Sequence, residues 1–173
     1  STWLKNARAV APDPSARFTW DDGVTRLDLM VLNSPESLDR IITADGPGWR
    51  RSPLTEDEKP PLQQFLAEHT DGDDEGSIST GFATLMVPYA GKTSPVDSAR
   101  ILTNDPETGV IAVEVTMPDR TDYIISTRDQ QPRTHGPITA AGEFCFVSVD
   151  EGGRVLNAYL LRGSSLQCGA MSL

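Results

Sequence analysis

Two cysteines and two histidines are all that the 173 residues offer for thiol, imidazole or soft-metal chemistry. A framework of disulfides needs more cysteines than that. With no cluster of His and Cys, no zinc centre can be assembled from sequence neighbours. Cys145 lies inside an apolar strand pattern and Cys168 near the chain end. A bridge between them is geometrically open if their strands pair, and two free thiols is the expected state. Cations are also scarce. Asp and Glu outnumber Lys and Arg by 25 to 15, leaving a net charge of −10. Such a surface repels nucleic-acid phosphates and anionic lipid, so neither is an expected partner. No apolar run nears the ~20 residues a membrane-spanning helix requires, and no stretch has the pattern of a secretory leader. There is no Gly-x-Ser-x-Gly elbow, no phosphate-cradling glycine loop and no internal repeat. No cofactor is expected.

What the chain has in quantity is short β-branched and aromatic runs separated by turn residues. The densest stretch is Glu143–Cys168. Phe144–Val149, Val155–Leu161 and Leu166 onward read as a meander turning at Asp150–Arg154 and at Arg162–Ser165. Earlier, Trp3–Val10 reads as a strand stopped by Pro12 and Pro14. Arg17–Trp20 and Thr25–Leu32 form a hairpin about Asp21-Asp22-Gly23, and Leu38–Thr43 precedes Gly46-Pro47-Gly48. Ile78–Val87, Ala99–Thr103, Val110–Met117, Arg120–Thr127 and Ile138–Ala141 continue the pattern, with Arg128–His135 as a polar loop. About ten short strands with regular turns predict an antiparallel β-sandwich, a single domain over 1–173. Its expected core is Leu27, Leu29, Val31, Leu85, Val113, Val115, Ile125, Phe146, Val147 and Leu160.

Residues 50–77 interrupt the pattern with a charged, proline-rich insertion. Leu62, Phe65 and Leu66 have the spacing of one helical face, which predicts a short helix near 60–68. Thr70–Gly76 is acidic, but lacks the framing of an EF-hand loop and reads as a solvated loop rather than a calcium site.

Candidate chemistry is thin. Tyr89, Tyr123 and His135 are the catalytic candidates; Trp20, Trp49, Arg50, Arg51, Arg128 and Arg133 are the candidates for binding a substrate. Both histidines read as surface residues. A tyrosine acts as a base only beside a cation that lowers its pKa from about 10. Lys92, three residues after Tyr89, is the one such cation the local sequence places.

Three stretches carry a family likeness. Trp3-Leu4-Lys5-Asn6, Trp20–Asp28, Leu32-Asn33-Ser34-Pro35 and Gly46-Pro47-Gly48-Trp49 form the first. Gly81–Tyr89, ending Pro88-Tyr89, is the second, and Thr121–Ser126 with the closing meander is the third. They resemble the sandwich of heparinase II/III-like polysaccharide lyases and their alginate lyase relatives. The resemblance implies a helical toroid followed by a large antiparallel sandwich, in an extracellular or periplasmic protein. It implies elimination from a uronate by a Tyr and a His that would precede Ser1, so the chain reads as a C-terminal fragment. Its partners would be the parent's N-terminal catalytic domain and an acidic polysaccharide. Where some members use a histidine to bind a structural metal, this chain has Asn6, so no metal is expected.

Three readings follow. The first is a non-catalytic sandwich that supports a catalytic domain and lines its cleft. The second is a stand-alone carbohydrate-binding module using Trp20 or Trp49 with Arg50 and Arg51. The third is a small enzyme using Tyr89 or Tyr123 with His135, near Arg133.

Overall fold

A computed structural model describes residues 5–21, 23–36, 38–46, 62–68 and 81–173. All regular structure in them is antiparallel β, with no helix. The chain separates into two compact units, one formed by 1–13 with 34–78 and the other by 14–33 with 79–173.

The first unit holds a three-stranded sheet of β1 (Lys5–Val10), β4 (Arg40–Gly46) and β5 (Leu62–Glu68), with β4 in the middle. Leu38, Ile41 and Ala44 are buried. Here the expected helix is corrected. Residues 62–68 are a strand whose seven positions pair in register with β4, from Arg40 opposite Glu68 to Gly46 opposite Leu62. Three apolar residues in one turn are too short a helical signal to outweigh a full ladder of backbone hydrogen bonds. Arg40 grips Glu68 through two bonds of 2.7 and 3.0 Å at the end of that ladder. The rest of the 50–77 insertion, including Thr70–Gly76, lies outside the described residues.

The second unit is a β-sandwich. One sheet has the order β2 (Arg17–Asp21), β3 (Thr25–Val31), β6 (Thr84–Ala90). The other has seven strands. Its main path runs from β13 (Met171–Ser172) through β12 (Val155–Cys168), β11 (Ile138–Asp150), β9 (Arg120–Ser126) and β8 (Val110–Thr116) to β7 (Ser98–Asp105); β10 (Arg133–His135) pairs with β11. Met30, Leu32, Ala83, Val87, Ala99 and Val115 make the core between the sheets. Leu29, Val31, Val115, Ile125 and Val147 of the expected core are buried, whereas Leu27, Leu85, Val113, Phe146 and Leu160 are half-buried. Pro88, expected to end its strand, sits within β6 opposite Leu27.

The closing meander is also corrected. Arg162–Ser165 is not a turn but a bulge inside β12, matched by a register shift at Ala141/Gly142 in β11. The two long strands bend together there. The bend folds Ile138, Ala140, Leu166 and Cys168 into a second core with Tyr123, Ile125, Cys145 and Val147. Glycine is required at the corner. A Cβ on Gly163 would overlap the carbonyl oxygen of Ala141, and one on Gly142 would come 2.6 Å from Leu160 Cδ1. β11 and β12 do pair, but Cys145 stands opposite Leu160 and Cys168 opposite Ile138, and both thiols are free and buried. Burial, and then the nearby Cys168, push the Cys145 thiol up to about 11.

Candidate functional site

Tyr89 does not have the surroundings of a base. On the β2–β3–β6 sheet its phenol donates to Asp28 Oδ1 at 3.2 Å. Asp28 is 1% exposed and also accepts from Thr19 Oγ1 at 2.7 Å and Arg17 Nη1 at 3.3 Å. Burial pushes the Tyr89 phenol up, and the hydrogen bond to Asp28 and that carboxylate's charge push it further; Arg26 and Arg17 oppose this without reversing it. Burial alone would raise the Asp28 carboxyl. Hydrogen bonds from Thr19, Ser94 and Tyr89, with the charge of Arg17, hold it below the usual carboxylate range instead. Lys92 contributes its backbone carbonyl, which accepts from Arg26 at 2.8 Å. Arg17 goes on to donate to the carbonyls of Val96 and Asp97 at 2.9 and 3.0 Å, tying the β6–β7 connection to the sheet. Asp28 is therefore the hub of a structural latch.

Tyr123 and His135 lie on the other side of the seven-stranded sheet. Burial, then the charge and hydrogen bond of Glu114, raise the Tyr123 phenol. His135 was expected at the surface; it is 7% exposed, because β10 pairs with β11 and carries it into the second core. Its Nδ1 shares a 2.8 Å hydrogen bond with Thr103 Oγ1, while Nε2 is buried without a partner. Burial, and secondarily the charge of Arg133, lower its pKa. A buried neutral imidazole contributes stability above its unfolded pKa of about 6.5, and that contribution is lost as pH falls from there through the depressed folded value. Between pH 6.5 and 5, thermal unfolding of the native chain should show a fall in Tm that His135→Gln reduces; equal slopes in the two proteins would contradict the assignment.

The binding candidates are scattered. Arg133 is held by Asp129 through two hydrogen bonds, which bring the Asp129 carboxyl down to about 2. Arg128 is exposed, its stem lying over Gly109 at the β7–β8 turn. Trp20 is half-buried opposite Leu27. Trp49, Arg50 and Arg51 lie outside the described residues. Asn6 donates to Asp45 Oδ2 at 2.7 Å, and among the described residues no three His, Cys, Asp or Glu side chains converge as metal ligands.

One surface was not anticipated from sequence. Residues directly opposite in antiparallel strands share a face. Val113 stands opposite Ile124, Ile124 opposite Phe146 and Phe146 opposite Tyr159; the parallel row is Ile111, Ser126, Phe144 and Leu161. The β8 and β9 ends of these rows, Ile111, Val113 and Ile124, pack in the core between the sheets. Three strands cannot cover seven, so the β11–β12 end stays open. Tyr159 and Leu161 are 53% and 42% exposed. Phe144 meets Tyr159 edge to face, with ring centroids 6.3 Å apart and planes at 62°. Next along comes the row Asp122, Ser148, Asn157, in which Asn157 is exposed. An aromatic pair beside an exposed amide can stack a ring and bond its hydroxyls. The sequence signal was the alternation of Phe144, Phe146, Tyr159 and Leu161, which reads equally as core. Comparison with models of known families gives no match, and neither does comparison with characterised proteins.

Proposed function

We propose that this chain is a non-catalytic β-sandwich module that contacts a glycan, of the kind that follows the helical toroid in heparinase II/III-like polysaccharide lyases. The motifs ending at Asn6, Pro35 and Tyr89 support that kinship, and with it a catalytic domain as partner and an extracellular or periplasmic setting. The observation that carries the non-catalytic half is the bond from Tyr89 to Asp28. A tyrosine that takes the α-proton of a uronate must ionise readily, and this phenol is pushed away from ionisation. Tyr123 is raised as well, and His135 is buried. The purified chain should release no unsaturated uronate from heparin, chondroitin or alginate, read by ultraviolet absorbance. Product formation that disappears in Tyr89→Phe would make it an enzyme and end this reading. The open pair of Phe144 and Tyr159 favours, as a second reading, a module that binds glycan without a catalytic partner.

A further inference from the structure

We infer that the open face of β11 and β12 takes an uncharged pyranose chain rather than an acidic one, an assignment that rests on the glycan-contacting reading above. The platform is Tyr159 with Phe144 and Phe146, bordered by the Asn157 amide. Its electrostatics select the ligand. Of the arginines at this end of the sheet, Arg154 is paired with Asp150 at 3.1 Å and Arg120 with Asp122 at 3.2 Å, while Arg162, paired with Glu143 at 3.2 Å, alternates with Leu161 and belongs to the opposite face from Tyr159. Arg154 is also the end of a turn whose Gly152 and Arg154 amides bond Asp150 Oδ1 at 3.0 and 2.9 Å. Beyond the turn, Asp119, Asp150 and Glu151 line one depression. Arg128, which has no such ion pair among the described residues, lies over the β7–β8 turn, at the far side of the sheet from β12. A uronate or sulfate stacked on Tyr159 would thus meet carboxylates with no uncommitted arginine from these strands, in a chain of net charge −10. A neutral sugar meets aromatic rings for its C–H face, and for its hydroxyls the Asn157 amide and the carboxylate acceptors along the rim.

The test is isothermal titration of the 173-residue chain with cellohexaose, xylohexaose, a guluronate hexamer and a heparin hexasaccharide. The expected result is binding of an uncharged oligosaccharide at least about tenfold tighter than either acidic one, weakened about tenfold by Tyr159→Ala. Tyr159 is half exposed, so the variant should keep the native Tm. Tighter binding of an acidic oligosaccharide, weakened by Arg128→Ala, would overturn the assignment while leaving the glycan reading in place. Binding of none of the four would overturn both. Sedimentation showing a dimer that Tyr159→Ala dissociates would give the face to a second copy of the chain and likewise overturn it.

Discussion

Asp28→Ala should cost about 3 kcal/mol of folding stability, measured by urea unfolding. Asp28 is 1% exposed, and removing it takes the acceptor from four donors at once: the guanidinium of Arg17, the hydroxyls of Thr19 and Ser94 and the phenol of Tyr89. The cost stays near the lower end for a broken buried pair because Arg17 is 27% exposed and can turn toward water. Asp28→Asn keeps the shape and an acceptor oxygen, so its loss should be smaller, about 1–2 kcal/mol. The pH dependence separates charge from shape. The folded carboxyl is held below its ordinary value, so its contribution is present above a pH of about 4 and disappears as pH falls through the folded pKa. Asp28→Asn should flatten that acid limb. A loss under about 1 kcal/mol in Asp28→Ala would show that the latch is a solvated surface pair.

The same residue shows where sequence stops being informative. The alternation of Leu27, Leu29 and Val31 with Arg26, Asp28 and Met30 is plain in the chain, and it correctly predicts a strand. It does not say which side is wet. Asp28 and Leu29 to Val31 are all buried, and a carboxylate is tolerated there because the hairpin register places Thr19 directly opposite. The Asp22-Gly23 dipeptide marks the hairpin but not this register: closed as a two-residue turn it would set Thr19 opposite Arg26, whereas Thr19 stands opposite Asp28. β-branched runs located the strands of the sandwich because each run needs a partner wherever it sits. Strand ends were harder: Gly163 read as part of a turn and Gly142 as the break between two strands, since a glycine that opens a turn and one that admits a crossing backbone look identical in sequence. His135 looked exposed because its neighbours are polar, yet pairing of three residues with β11 is enough to bury it. The open aromatic face was illegible for a different reason. Its residues alternate like any core, and only the mismatch between three strands and seven leaves them uncovered.

Gly163→Ala should be the most damaging single methyl that can be added to the second unit. The long ribbon of β11 and β12 bends where Gly142 faces Gly163. The new Cβ would overlap the Ala141 carbonyl oxygen and lie 2.7 Å from Leu160 Cδ1. The leucine can change rotamer; the carbonyl belongs to a paired strand and cannot move without opening the register. Arg162, just before it, already sits at φ 47°, so the corner has little freedom left to absorb the strain. If the corner opens, Ile138 and Leu166, both fully buried, lose their packing against Tyr123 and Val147. Overpacking of this kind costs typically 1–3 kcal/mol, and with a backbone atom as the obstacle about 3 kcal/mol or more is expected. Two readouts test the mechanism as well as the size. Amide hydrogen exchange should accelerate across 138–141 and 165–168 while β7 and β8 stay protected, and the buried thiol of Cys168 should become reactive to a disulfide reagent. A stable variant with native exchange at the corner would mean that the ribbon bends without needing its glycine.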